Sequence, residues 1–97
     1  MPTYKITLEY EGTRFSGWQV QKNAKTVQGI LLQVLQEIFG TKDLDLQGAG
    51  RTDAGVHAAA QVVSLVAPGD IPPDVLRIKI NDLLPHDINT LKVERTN

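Results

Sequence analysis

Residues 4–11 alternate strictly between hydrophobic and polar side chains. The hydrophobic positions are Tyr4, Ile6, Leu8 and Tyr10, and the polar positions are Lys5, Thr7, Glu9 and Glu11. A period of two predicts a β-strand with one buried face and one face toward solvent.

The period lengthens after residue 26. Hydrophobic residues then recur every three or four positions at Val27, Leu31, Val34 and Ile38. This spacing predicts an amphipathic helix over residues 27–39. Thr26 is its expected N-cap and Gly40 its expected C-cap glycine.

The remaining patterns predict three further strands and one further helix. Short strands are expected at residues 44–47, at 61–66 and at 91–94, where Leu91 and Val93 alternate with Lys92 and Glu94. Pro72 and Pro73 suit the first turn of a helix, which Pro85 ends. The expected apolar face of that helix consists of Val75, Leu76, Ile80, Leu83 and Leu84.

The predicted order is strand, helix, strand, strand, helix, strand. This order indicates an α+β, ferredoxin-like fold, in which two helices cover one face of an antiparallel sheet. RNA-recognition domains share the fold. The fold alone does not decide function.

Composition narrows the class of protein. A chain of 97 residues is one domain in length. The absence of cysteine excludes disulfide scaffolds and cysteine-based metal sites. No signal peptide and no apolar stretch long enough to span a membrane is visible, so we expect a cytoplasmic protein.

The charge is small and unevenly distributed. The net charge is −1. Residues 1–25 carry four basic and two acidic side chains, whereas residues 26–97 carry six basic and nine acidic ones. Because phosphate neutralisation supplies much of the affinity for nucleic acids, composition alone does not predict RNA binding.

The glycine-rich stretch from Gly48 to Ala58 carries the chemically informative residues. Arg51 is a planar, permanently charged group that suits a phosphate or a base edge. Asp53 lies two residues later, and a neighbouring guanidinium favours the ionised carboxylate that a nucleophile requires. A structural interpretation stays open, in which Asp53 caps a turn and Arg51 forms an ordinary ion pair. His57 adds a titratable group but too few partners for a metal site or a catalytic triad.

Four segments resemble the TruA-type tRNA pseudouridine synthases. The segment from Gly50 to Ala58 resembles the signature of that family. Residues 9–21, residues 26–28 and residues 81–88 resemble its opening strand and loop, the start of its first helix and the end of its second helix. The resemblance implies that residues 1–97 form a single amino-terminal catalytic lobe, with the family's second lobe outside this sequence.

The resemblance also implies an activity. TruA-type enzymes isomerise uridine to pseudouridine at positions 38–40 of the tRNA anticodon stem and loop, as homodimers, without a cofactor or a metal. Asp53 is then the expected nucleophile. Arg51 is expected to contact the RNA and to hold the target nucleotide out of its stack.

The remaining candidates have weaker support. Gly50 and Gly55 would let the backbone approach a phosphate, and Thr52 and His57 are expected to form structural hydrogen bonds. Arg14, Lys22 and Lys25 either contact phosphates or are ordinary surface charges. Trp18, like Phe15, either stacks on a base or belongs to the core. We expect no special role for His86.

Two other classes of function remain open. One is a non-catalytic RNA-binding fragment with a ferredoxin-like fold, inactive without a second lobe. The other is a structural or regulatory domain without affinity for tRNA. We also expect the chain to self-associate, because a lobe without its neighbour exposes apolar surface.

Overall fold

The elements of the fold follow the predicted order. A computed structural model describes residues 2–11, 27–52 and 58–96, with the backbone alone for residues 11, 49–52 and 58–60. The elements are β1 (Thr3–Glu11), α1 (Val27–Phe39), β2 (Asp45–Thr52), β3 (Ala58–Val66), α2 (Pro73–Leu83) and β4 (Ile88–Arg95). The predicted α+β, ferredoxin-like class is confirmed.

The four strands form one antiparallel sheet in the order β2-β3-β1-β4. The alternation of β1 agrees with its central position, since Tyr4, Ile6 and Leu8 are fully buried. β3 buries Val63 and Leu65 on the same side of the sheet. The two helices contact each other, so this side of the sheet packs against one helical layer.

Helix α1 begins and ends where its hydrophobic period predicts. Its buried residues are Val27, Leu31, Val34 and Leu35. Gly40 has a φ angle of 69°, and its N–H donates to the Gln36 carbonyl at 2.9 Å. Glycine adopts this left-handed conformation without a steric penalty, so the predicted C-cap is confirmed. The predicted N-cap, Thr26, lies outside the described residues.

The predicted apolar face of α2 is correct at its centre and wrong at its flanks. Leu76, Ile80 and Leu84 are buried. Val75 and Leu83 are 42% and 44% exposed. Residues spaced by four form one narrow stripe along a helix, and that stripe alone contacts the core. The helix ends before Pro85, as expected, because Leu84 adopts the extended conformation that a following proline favours.

The alternation predicted for β4 fails at Leu91. Leu8 pairs with Thr90 and Thr7 pairs with Lys92, so Leu91 is the extra residue of a β-bulge. Leu91 is 48% exposed, and Thr90 takes the buried position. The bulge shifts the alternation of buried and exposed residues by one position. A strict period of two does not anticipate this shift.

The second and third strands are longer than predicted. β2 continues from Asp45 through the glycines to Thr52, and β3 already begins at Ala58. β2 contains its own bulge, because Gly48 pairs with Val63 and Gly50 pairs with Val62. Much of the stretch expected to follow the second strand therefore belongs to the sheet. No helix in the described part of the chain is long and apolar enough to cross a membrane.

The Tyr4 hydroxyl holds the connection between β3 and α2 against the sheet. It donates to the Gly69 carbonyl and accepts from the Ile71 N–H, both at 2.9 Å. The Tyr4 and Phe39 rings lie 6.3 Å apart. A Cβ at Gly69 would lie 3.1 Å from the Phe39 ring, so this turn packs closely on the aromatic pair.

Replacing Tyr4 by Phe should lower the free energy of unfolding by about 1–3 kcal/mol, because two partly buried backbone groups lose their partner. Urea denaturation of the chain measures the change. Asp70→Asn is the matched control, since it removes the exposed Arg95–Asp70 ion pair beside the same turn and leaves Arg95 over the Tyr4 ring. The control should cost less than about 1 kcal/mol. Equal stability of Tyr4→Phe and the wild-type chain would contradict the assignment.

Candidate active site at one end of the sheet

Strand register brings four strand ends together. Glu11, at the end of β1, pairs with Ala58, at the start of β3. Thr52, at the end of β2, pairs with Ala60. Ile88, at the start of β4, pairs with Tyr10. We call this edge of the fold, marked by Glu11, Thr52, Ala58 and Ile88, the site end of the sheet.

Three connections start or finish at the site end. Residues 12–26 join β1 to α1, residues 53–57 join β2 to β3, and residues 84–87 join α2 to β4. The first two connections contain most of the candidate site residues. Asp53, Gly55, His57, Arg14, Trp18, Lys22 and Lys25 all lie outside the described residues, and their roles stay predictions.

The signature segment enters the site end along a strand. Gly50, Arg51 and Thr52 are consecutive residues of β2, and Thr52 is the last residue of that strand. Asp53 is the next residue of the chain. The hydrogen-bonded strand thus ends at the residue immediately before the predicted nucleophile.

Arg51 occupies a register position next to a buried polar residue. It pairs with Gln61 of β3, whose side chain is only 2% exposed. The Gln61 amide Nε2 donates to the Val62 carbonyl at 3.2 Å. No sequence-based prediction included Gln61, although a signal was present. Gln61 occupies an inward position of a strand whose other inward positions, Val63 and Leu65, are hydrophobic.

A β-bulge lies immediately before the signature residues. Ala49 is the extra residue of β2 between the pairs formed by Gly48 and Gly50. A bulge increases the local twist of a strand and changes the direction of the residues that follow. Here those residues are Gly50, Arg51 and Thr52, so the bulge helps to set how the signature segment reaches the site end.

The third connection is the one that the structure describes in full. The Leu84 N–H donates to the Ile80 carbonyl at 3.0 Å, and the Ile88 N–H donates to the Pro85 carbonyl at 3.1 Å. His86 is exposed and Asp87 is half-buried. This tight turn lies at the site end, next to the end of β1 and the start of β4. Within the described residues, no group of three His, Asp or Glu side chains is placed to hold a metal ion.

Exposed carboxylates lie at the opposite end of the molecule, together with the exposed side chains of Lys42 and Arg95. The α1–β2 and β3–α2 connections both lie there, and around them Asp43, Asp45, Asp70 and Asp74 are exposed. One of these carboxylates, Asp70, pairs with Arg95 at 2.5 Å. In contrast, residues 12–26 contain three basic and no acidic side chains, and they begin where β1 ends. The exposed carboxylates at the opposite end disfavour the binding of a polyanion there.

Comparison with known proteins gives the same family as the signature segment. Residues 6–97 match the model of the tRNA pseudouridine synthase family. The chain is 46% identical over 94 residues to tRNA pseudouridine synthase A of Lacticaseibacillus casei, covering 97% of this chain and 38% of the relative. It is 47% identical over 96 residues to the protein of the same name from Levilactobacillus brevis, covering 97% of this chain and 36% of the relative.

A third relative, tRNA pseudouridine synthase A of Ruminiclostridium cellulolyticum, is 46% identical over 88 residues. That match covers 91% of this chain and 36% of the relative. The chain thus spans less than two-fifths of the length of the relatives that it matches. Because the family model covers almost the whole chain, the chain belongs to the tRNA pseudouridine synthase family.

Proposed function

We propose that residues 1–97 are the nucleophile-bearing lobe of an enzyme that converts uridine to pseudouridine at positions 38–40 of the tRNA anticodon stem and loop. Asp53 is the proposed nucleophile. One observation carries the proposal more than any other. The strand that bears Arg51 and Thr52 ends at the same edge of the sheet as β1, where the connection rich in basic residues begins.

The reaction is an isomerisation, so every atom of the uridine is retained. The Asp53 carboxylate attacks either C1′ of the ribose or C6 of the uracil, and the bond between N1 and C1′ breaks. The uracil rotates and forms a new bond from C5 to C1′. C5 then loses a proton, N1 gains one, and the carboxylate is released unchanged. This route has two requirements. The carboxylate must be ionised, and the uracil must stay held by the protein while it is detached from the ribose.

The neighbouring residues supply binding and orientation. Arg51 is proposed to contact the target nucleotide, which must leave its stack at a cost of a few kcal/mol. Its positive charge also favours the ionised form of Asp53. Arg14, Lys22 and Lys25 are proposed to contact phosphates, and Trp18 is proposed to stack on a base. Gly50 and Gly55 allow a close backbone approach, and Thr52 and His57 support the segment through hydrogen bonds.

The proposed partners follow from the same family. The substrate is tRNA, bound in the cytoplasm by a homodimer or a larger homo-oligomer. A second lobe, supplied by residues beyond this sequence, would close the other side of the target base. The alternative is a non-catalytic RNA-binding fragment. It is favoured by the observation that the chain covers less than two-fifths of the length of each relative.

Replacing Asp53 by Asn should abolish pseudouridine formation, with a loss of at least about a thousandfold, because the amide has no nucleophilic charge. The measurement is the mapping of pseudouridine in unmodified tRNA after incubation with the chain. Asp43→Asn is the matched control, since Asp43 is an exposed carboxylate away from the site end. The control should keep wild-type activity.

Equal product from wild-type chain and Asp53→Asn would refute the role of Asp53. Absence of product from both, together with tRNA binding and with turnover of the same RNA by a full-length relative, would favour the non-catalytic alternative. Absence of both binding and product would leave the structural class of function.

Replacing Arg14, Lys22 and Lys25 together by Ser should weaken tRNA binding and lower its salt dependence. Three lost phosphate contacts reduce the slope of log affinity against log salt concentration by about 2 to 3. Lys5, Lys42 and Lys92, which are exposed away from the three connections, provide a matched triple control. The proposal predicts a much smaller change of slope for that control. Equal changes in the two triple variants would show that residues 12–26 are not the RNA-contacting segment.

Deleting Ala49 should preserve the fold but lower activity. The deletion leaves the pairs Gly48–Val63 and Gly50–Val62 adjacent, as in a regular ladder. The extra twist before Arg51 is then lost, so the backbone of the signature segment leaves the strand in a different direction. Ala49→Ser keeps the bulge and is the control. Thermal unfolding and pseudouridine formation, measured on both variants, separate stability from activity. Full activity of the deletion variant would contradict a role for the bulge.

A further inference from the structure

The side chain of Asn81 makes a pair of hydrogen bonds to one residue of β4. The Thr90 N–H donates to Asn81 Oδ1 at 2.8 Å, and Asn81 Nδ2 donates to the Thr90 carbonyl at 3.1 Å. Thr90 is only 1% exposed. Asn81 lies in α2, so these two bonds join the helix to the strand that follows it. No sequence-based prediction gave Asn81 a role.

The two bonds lie on the outer edge of the sheet. β4 is an edge strand whose only neighbour in the described sheet is β1. The N–H and the C=O of one residue in an antiparallel strand point to the same side. Since both groups of Thr90 bond to Asn81, they point away from β1, toward the position of a fifth strand. The Asn81 carboxamide offers one donor and one acceptor, as the peptide groups of a neighbouring strand do. Asn81 therefore makes the two hydrogen bonds that a residue of a fifth strand would make to Thr90.

Other features of β4 also act against strand addition. The bulge residue Leu91 interrupts the ladder and Lys92 is exposed, and both bulges and edge lysines are common on protected edges. At the opposite edge, Gln28 Nε2 donates to the Leu46 carbonyl of β2 at 3.4 Å, a longer bond than either bond to Thr90.

We propose that Asn81 closes the β4 edge, and that a second copy of this chain pairs with β4 when the Asn81 carboxamide is removed. A second copy is the occupant because every copy presents the same edge, and two identical antiparallel strands pair about a two-fold axis. A pair centred on Thr90 places Lys92 opposite Ile88 of the other copy rather than opposite a second lysine, so like charges stay apart.

Asn81→Ala tests the proposal, with Ile80→Val as the control. Ile80 is fully buried in the same helix, so its truncation lowers stability to a similar extent but leaves Asn81 in place. Two quantities are measured over a range of protein concentrations, namely hydrogen exchange of the Thr90 amide by NMR and mass by sedimentation. In dilute Asn81→Ala, the Thr90 amide should exchange about tenfold faster than in the wild-type chain, as expected for one lost hydrogen bond. As concentration rises, the protection of the Thr90 amide should return, and the mass of Asn81→Ala should exceed that of the wild-type chain.

The wild-type chain and Ile80→Val should show Thr90 protection that does not depend on concentration. Asn81→Asp provides a second variant in case Asn81→Ala fails to fold, since it keeps the acceptor for the Thr90 N–H and adds a charge at the edge. It should fold without added self-association. The proposal is overturned if Asn81→Ala associates no more than Ile80→Val, if Asn81→Asp self-associates more than the wild-type chain, or if the wild-type Thr90 amide exchanges as fast as that of Asn81→Ala.

Discussion

The antiparallel pairing of β1 with β3 is the constraint on which the candidate site depends. Its register runs without interruption from Thr3–Val66 to Glu11–Ala58. Because β2 pairs with the other side of β3 and β4 with the other side of β1, this central register and the two outer registers built on it fix the positions of all four strand ends. A slip of one residue would turn Tyr4, Ile6 and Leu8 toward solvent, so the buried face of β1 secures that register.

The same constraint connects the core to the chemistry. The apolar face that fixes the register lies along the whole of β1, whereas the signature residues lie at one end of β2. The hydrophobic core therefore fixes the backbone position of Arg51 and Thr52 without supplying a residue to the proposed site. At the other end, the Tyr4 hydroxyl holds the β3–α2 connection by two hydrogen bonds, and exposed carboxylates surround it. The fold thus separates a structural end from a site end.

Much of this arrangement was predictable from the sequence. Simple periodicity predicted β1 and α1, because both bury one regular face, and the signature segment indicated the family. The two bulges were not predictable, since the alternation of hydrophobic and polar residues does not reveal an extra residue at Ala49 or Leu91. The Asn81–Thr90 pair was missed because a polar residue near the end of a helix is ordinarily solvated. The strand character of Gly50 to Thr52 was obscured by glycine, which is depleted from strands.

Chemical-shift changes of the backbone amides on addition of unmodified tRNA test the central claim most directly. The account predicts that the changed amides lie at the site end, at Glu11, Thr52, Ala58 and Ile88. The amides of Thr3, Asp45 and Val66, at the far ends of the same strands, should stay unchanged. Changes concentrated at those far ends, or along the exposed side of α2, would contradict the account, because the RNA would then bind away from the proposed nucleophile.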